Sequence, residues 1–236
     1  MATQQIIALG GGGFSMESSP VLDDYILAAA GKPHPRICFV ATASGDAEGY
    51  LLRFYRRFTS ADCTPTELSL FRRSVADLEA FACAQDVIYV GGGNTANMLA
   101  VWRAHSFDRA LRRAYSAGVV LAGLSAGSIC WFESGITDSY GLTLQGTEAL
   151  GFLPGSHCPH YDSEAACRPT YQRLIREGLA PGIAADDGVG LHYVAGKLHR
   201  VVASRPEARA YRVFLSSGEV VEEAIVPELL TEGGAA

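Results

Sequence analysis

Over the first two-thirds of the chain, short and nearly continuous apolar runs alternate with longer segments of mixed character. Gln5–Leu9, Ile37–Ala41, Val87–Val90 and Val119–Leu124 are such runs, and they predict strands buried on both faces, as in a parallel sheet. Between them, Pro20–Ala30, Asp46–Phe58, Ser74–Ala82 and Asn94–Ala117 carry apolar residues at helical spacing. The last of these reads as two helices broken near His105–Ser106. Such alternation predicts right-handed βαβ units and an α/β fold: an open, mostly parallel sheet with helices on both faces. A further helix is expected from about Ser163 to Gly178. The pattern then changes to closely spaced short strands, Ile183–Ala185, Val189–Val194, Lys197–Ser204 and Ala210–Leu215, with turns at Gly196 and Gly218. This stretch reads as a hairpin-rich C-terminal tail packed on one sheet edge. Residues 1–236 are therefore expected to form a single α/β domain, with residues 230–236 disordered.

Composition narrows the function classes. Hydrophobic residues make up 48% of the 236, enough for a sizeable core, and the net charge is −6. No basic run interleaved with aromatics appears, which argues against nucleic-acid binding. The pairs Arg56–Arg57, Arg72–Arg73 and Arg112–Arg113 read as solvated helix faces. No charged leader precedes a long apolar stretch, and no window approaches the roughly 18 apolar residues of a membrane span. A cytoplasmic protein with no membrane partner is expected. The six cysteines lack C-x-x-C spacing; Cys38, Cys83 and Cys130 read as small core residues, and no disulfide framework is expected. His157–Cys158–Pro159–His160 superficially resembles a metal pair, but no second pair follows at zinc-like spacing, so neither metal nor cofactor is expected.

Candidate chemistry gathers at predicted strand ends, where open α/β sheets bind ligands. Gly10–Gly13 follows the first strand, Gly91–Gly92–Gly93–Asn94 the third, and Gly123–Leu124–Ser125–Ala126–Gly127 closes the fourth. The last has the strand–turn–helix pattern that lifts a serine hydroxyl toward a substrate, with a helix expected over Ala126–Phe132. The Ala126 N–H and one in Gly92–Gly93 are candidate oxyanion donors. Asn94 is suited to cap the helix beginning at Thr95. Neither glycine run fits a dinucleotide or P-loop fingerprint. A serine nucleophile needs a base and an orienting acid. Six histidines offer a base, with His157 and His160 in a loop before the Ser163 helix; Asp138, Asp162, Asp186 and Asp187 offer the acid. Asp138 lies beyond the helix that leaves Ser125, and nine helical residues span roughly 13 Å, away from the strand ends.

Gly-Gly-Gly-Asn-Thr at Gly91, Gly-Leu-Ser-Ala-Gly-Ser at Gly123, Pro-His-Tyr-Asp at Pro159 and Asp-Asp-Gly at Asp186, in this order, resemble the peptidase E (aspartyl dipeptidase) and cyanophycinase family of serine peptidases. The resemblance covers roughly Ile6 to Leu198. It implies a fold similar to class I glutamine amidotransferases, of flavodoxin-like type. It also implies Ser125 as nucleophile, His160 as base and Asp187 as the acid, a position that is glutamate in the aspartyl dipeptidases. Asp138 stands as the alternative acid. Asn94 and Arg168 are expected at the substrate, Arg168 in the place of the arginine that binds the substrate's Asp side chain. The expected activity is cleavage of short peptides, dipeptides with N-terminal Asp foremost, with a homo-oligomer left open. The alternatives are cyanophycinase-like cleavage of aspartyl–arginine units, a generic amidase or esterase, and a non-catalytic small-molecule binding protein on the same fold.

Overall fold

A computed structural model describes residues 3–232. Its larger sheet has eight strands. Five are mutually parallel: β1 (Gln5–Leu9), β2 (Arg36–Val40), β3 (Thr64–Glu67), β4 (Val87–Val90) and β5 (Val120–Leu124), in the spatial order β1-β5-β4-β2-β3. The predicted apolar runs thus lie side by side at the sheet centre. β3 reads Thr-Pro-Thr-Glu and carries no apolar signal; an edge strand tolerates both the polarity and Pro65.

Residues alternate between the two faces, as the strand pleat requires. Ile6 and Ala8 join one core cluster, packed under α3 (Leu78–Cys83), α4 (Thr95–Ala104) and α5 (Phe107–Ser116). Ile7 and Leu9 join the other, under α1 (Val21–Ala29) and α2 (Glu48–Phe58). The break at His105–Ser106 is real: Ser106 has φ 56°, and α5 starts at the next residue.

The elbow helix is shorter than expected. α6 is a single turn, Ala126–Ile129, and the chain re-enters extended structure at Phe132. The strand β6 (Phe132–Thr137) founds a second, six-stranded sheet with β7 (Gln145–Glu148), β8 (Leu153–Cys158) and β9 (Gly182–Ala185). β6, β7 and β8 are short and interrupted by Gly and polar residues, so they show no apolar run, whereas β9 matches the expected strand Ile183–Ala185. β6, β8 and β9 are mutually parallel neighbours, and α7 (Cys167–Arg176) connects the last two. The expected tail does not stay on one edge. β10 (Val189–Val194) and β11 (Lys197–Ala203) extend the larger sheet beside β1, joined by the short β14 (Glu228–Leu229). β12 (Ala210–Ser216) and β13 (Glu219–Ile225) instead extend the second sheet beside β9.

Some local expectations need correction. Leu230 donates its N–H to Ala203 O at 2.8 Å and packs against the core, so order reaches past residue 229. The expectation for residues 233–236 lies outside the described residues. Cys83 is exposed, because it ends α3 on the solvent side; Cys38 and Cys130 are buried. Arg57 is not a solvated charge: it lies half-buried against the buried Asp23. Arg112 is exposed, as expected, with its guanidinium over the Phe152 ring. No described helix is long and apolar enough to cross a membrane.

Candidate active site

Two parallel sets of strands end at one place. In the larger sheet, β1, β4 and β5 run out into Gly10–Gly13, Gly91–Gly93 and Ser125. In the second sheet, β6, β8 and β9 end at Thr137, Cys158 and Ala185, just before Asp138, His160 and Asp186–Asp187. Ser125, Asp138 and His160 line one small cavity of about 40 Å³, together with Gly93, Thr95 and Glu164.

Ser125 sits at φ 55°, ψ −121°, a conformation that L residues seldom adopt. Such strain persists only where the surroundings enforce it, and it raises the side chain out of the turn. Close packing enforces it here. A Cβ on Gly123 would lie 2.2 Å from Gly127 O, and one on Gly127 would lie 2.3 Å from Val90 O. Gly92 backs directly on the serine, where a Cβ would stand 3.1 Å from that of Ser125.

His160 also has a positive φ, 54°. Its Nδ1 lies 2.6 Å from Asp187 Oδ1. A carboxylate only accepts, so Nδ1 carries the hydrogen and Nε2 is left free to take a proton. Burial pushes the His160 pKa down, but the hydrogen bond and charge of Asp187 outweigh it, and the net shift is upward. For Asp187 burial pushes upward, and the bond to His160 turns the net shift downward. The pair is thus set to hold a proton on the imidazole once one arrives.

The glycines after β1 carry this pair. His160 N donates to Gly10 O at 3.0 Å, and Gly188 N donates to Gly11 O at 3.1 Å. A Cβ on Gly11 would fall 2.0 Å from Asp187 Oδ1 and 2.9 Å from His160 Cε1. Gly11→Ala is therefore expected to push the carboxylate off the imidazole and lower kcat by about 10²-fold or more, the usual cost of a displacement near 1 Å. Steady-state kinetics on folded protein checks this; an unchanged kcat would show that the pair tolerates the shift.

Two residues hold the Asp187 turn: Asp162, which sequence reading offered only as an acid, and Arg205, which it missed. Asp187 N donates to Asp162 Oδ1 at 2.8 Å, Arg205 Nη2 reaches Asp162 Oδ2 at 2.7 Å, and Arg205 Nε reaches Asp187 O at 3.0 Å. Arg205 follows β11, a strand end like the others, which was the available signal. Of the other acids, Asp186 is buried and accepts from Arg209 N. Burial raises its pKa to about 6.

Three expected contacts take a different form. Gly92 N donates to Tyr50 OH at 3.2 Å, so that N–H is spoken for. Among the described residues, the N–H groups of Gly93 and Ala126 meet no protein acceptor. Asn94 caps its helix: Oδ1 accepts from Asn97 N, and Nδ2 donates to Ser139 O. That second bond ties down the turn bearing Asp138. Arg168 does not line the cavity. It faces Glu222 of β13 at 3.5 Å, its guanidinium over the rings of Tyr161 and Tyr211. Asp138 does reach the cavity, against the expectation from a long helix, because α6 is one turn and β6 returns the chain. The acid on His160 Nδ1 is nevertheless Asp187.

Both His157 ring nitrogens have protein partners, Ile183 O and Ser128 Oγ.

Known proteins share this arrangement of chain. A peptidase from an acI-B1 Actinobacterium superposes with a TM-score of 0.72 at 17% identity, over 92% of this chain and 96% of its own. A putative peptidase E protein from Listeria monocytogenes EGD-e gives 0.60 at 17% identity, over 95% and 100%. At that identity the likeness concerns fold alone. In sequence, an uncharacterized peptidase of Bacillus subtilis (strain 168), YgaJ, is 52% identical over 221 residues, 93% of this chain and 96% of the relative. Residues 6–201 match peptidase family S51, nearly the span over which the motifs recur, and the chain belongs to that family.

Proposed function

We propose that this S51 peptidase hydrolyses short peptides through a Ser125–His160–Asp187 triad and an acyl-enzyme. Ser125 Oγ attacks the carbonyl carbon while His160 Nε2 takes its proton. Asp187 holds the imidazole in the Nδ1–H tautomer and stabilises the imidazolium. The free N–H groups of Gly93 and Ala126 receive the oxyanion; losing one such donor typically costs about 10²–10³ in rate. The imidazolium then gives its proton to the leaving amine. A water, deprotonated by the same nitrogen, releases the acyl group. The observation carrying this reading is the 2.6 Å His160–Asp187 bond beside a strained serine in one cavity. A fluorophosphonate probe tests it: labelling at Ser125 is expected, and a non-catalytic binding protein would stay unlabelled.

The substrate side chain follows from charge. Aspartyl preference needs a cation, and Arg168 is paired with Glu222 away from the cavity. Asp138 and Glu164 line the cavity, and among the described residues no lysine or arginine does. We therefore place neutral and cationic residues ahead of Asp at this subsite. The same lining suits the cyanophycinase-like reading, whose aspartyl–arginine units carry a guanidinium. Purified enzyme is expected to cleave Ala-Leu and Lys-Leu at least about tenfold faster, by kcat/KM, than Asp-Leu, the order of effect of one partly screened like-charge contact. Asp138→Asn should narrow the gap. Faster cleavage of Asp-Leu would restore the aspartyl reading.

A further inference from the structure

The triad is drawn from two sheets: Ser125 from the larger one, His160 and Asp187 from the second. Something must hold the elbow in register with the base. The buried histidine that the mechanism leaves unused, His157, stands at that junction.

His157 lies on β8, three residues before His160, and is fully buried. Its ring stacks on Phe132 at 4.7 Å and 14°. Nδ1 lies 2.9 Å from Ile183 O on β9, the strand that leads to Asp187. A carbonyl only accepts, so Nδ1 carries the hydrogen. Burial keeps the ring neutral, with a pKa lowered to about 4. Nε2 is then an acceptor, 3.1 Å from Ser128 Oγ. Ser128 is also fully buried, in the single turn that follows the nucleophile, and its Oγ lies 2.8 Å from Ser125 O.

One hydroxyl hydrogen thus faces two acceptors. Ser125 O already accepts from Ser128 N at 2.8 Å and from Ile129 N at 2.9 Å. His157 Nε2 has no other donor among the described residues. A buried acceptor left without a donor is costly, so the hydrogen goes to the imidazole. The bond joins the elbow helix of one sheet to the base-bearing strand of the other.

We infer that His157 is a positioning residue, which acts through Ser128 to fix Ser125 Oγ and the Ala126 N–H relative to His160. One ring touches all three elements that bear the triad: it sits on β8, bonds to β9, and holds α6 through Ser128. This role rests on Ser125 being the nucleophile.

The test reads nucleophile reactivity directly. The second-order rate of fluorophosphonate labelling at Ser125 is measured for the wild type, Ser128→Ala, His157→Phe and the double variant. His157→Phe keeps the ring stack on Phe132 and removes both nitrogens. Each single variant is expected to slow labelling about 10²-fold, with KM for a cleaved dipeptide nearly unchanged. The double variant should be no slower than the worse single one, since both break the same link. Nitrogen-15 NMR should show His157 in the Nδ1–H tautomer throughout the active pH range. If His157→Phe does not fold, Ser128→Ala decides alone. Wild-type labelling speed in a folded Ser128→Ala protein overturns the inference, and so does a double-variant loss equal to the product of the single losses. Failure of the wild type to label at Ser125 would instead strike at the serine mechanism itself.

Discussion

Ser125→Ala is expected to lower kcat by about 10⁶-fold and leave the fold intact, as when the nucleophile alone is removed from a serine protease. The strained backbone makes this a clean experiment. Alanine carries the same Cβ as serine, so at φ 55°, ψ −121° the substitution adds no new strain. Ser125 Oγ makes no protein hydrogen bond among the described residues, so the fold loses none with it. The oxyanion donors remain, and in such variants a residual 10³–10⁴-fold rate over water survives. Thermal unfolding and kcat should therefore separate completely: an unchanged Tm with activity near the detection limit. Turnover above about 1% of the wild type, in protein that titrates as free of contaminating enzyme, would mean that the attack comes from another group.

The half of the fold that bears Ser125 was legible because burial on both faces writes itself as apolar runs. β1, β4 and β5 are such runs, and each ends in Gly or Ser where the chain turns. The half that brings His160 and Asp187 was legible only in part. β6 reads Phe-Glu-Ser-Gly-Ile-Thr and β8 reads Leu-Pro-Gly-Ser-His-Cys. Their stability comes from pairing and from packing against partners distant in sequence, which periodicity does not record. That gap had a direct consequence at the site. Reading on from Ala126 as a long helix sent Asp138 away from the strand ends, whereas a one-turn helix followed by β6 returns it to the cavity.

Side-chain commitments were hidden for a related reason. Motif position brought Arg168 close to the right region, yet the Glu222 that engages it arrives on β13 from far along the chain. Asn94 was readable as a cap from its place before α4, and that local reading is the one the geometry favours. Arg205, which clamps the Asp187 turn, lies outside every motif. Local chemistry was therefore visible wherever a residue acts on its own turn. Where two distant segments meet, it was visible only through the motifs, as for His160 and Asp187, and hidden for Arg168–Glu222 and Arg205.

The acid is the sharpest remaining test. Asp187→Asn is expected to lower kcat by about 10⁴-fold, the effect of the same change in another serine triad. The reason is the direction of one hydrogen. Asp187 Oδ1 accepts from His160 Nδ1 at 2.6 Å, which leaves Nε2 as the base. An asparagine can turn its NH₂ toward Nδ1, forcing the hydrogen onto Nε2 and facing Ser125 with a donor. The pH profile should move as well, and its sign is fixed. In the wild type, Asp187 holds the His160 pKa above 6.5 despite burial, so kcat/KM should rise with pH through a value above 6.5 as the base loses its proton. Without the carboxylate charge, that upward pull is lost and the burial effect remains, so the residual activity should appear at lower pH. Asp138→Asn should do neither. Asp138 faces the cavity but not Nδ1, so its loss should alter the preference for substrate charge and change kcat for a neutral dipeptide less than about tenfold. If the two variants exchanged behaviours, with Asp138→Asn carrying the 10⁴-fold loss and the shifted limb, the acid of the triad would be Asp138. The 2.6 Å bond would then be a structural contact.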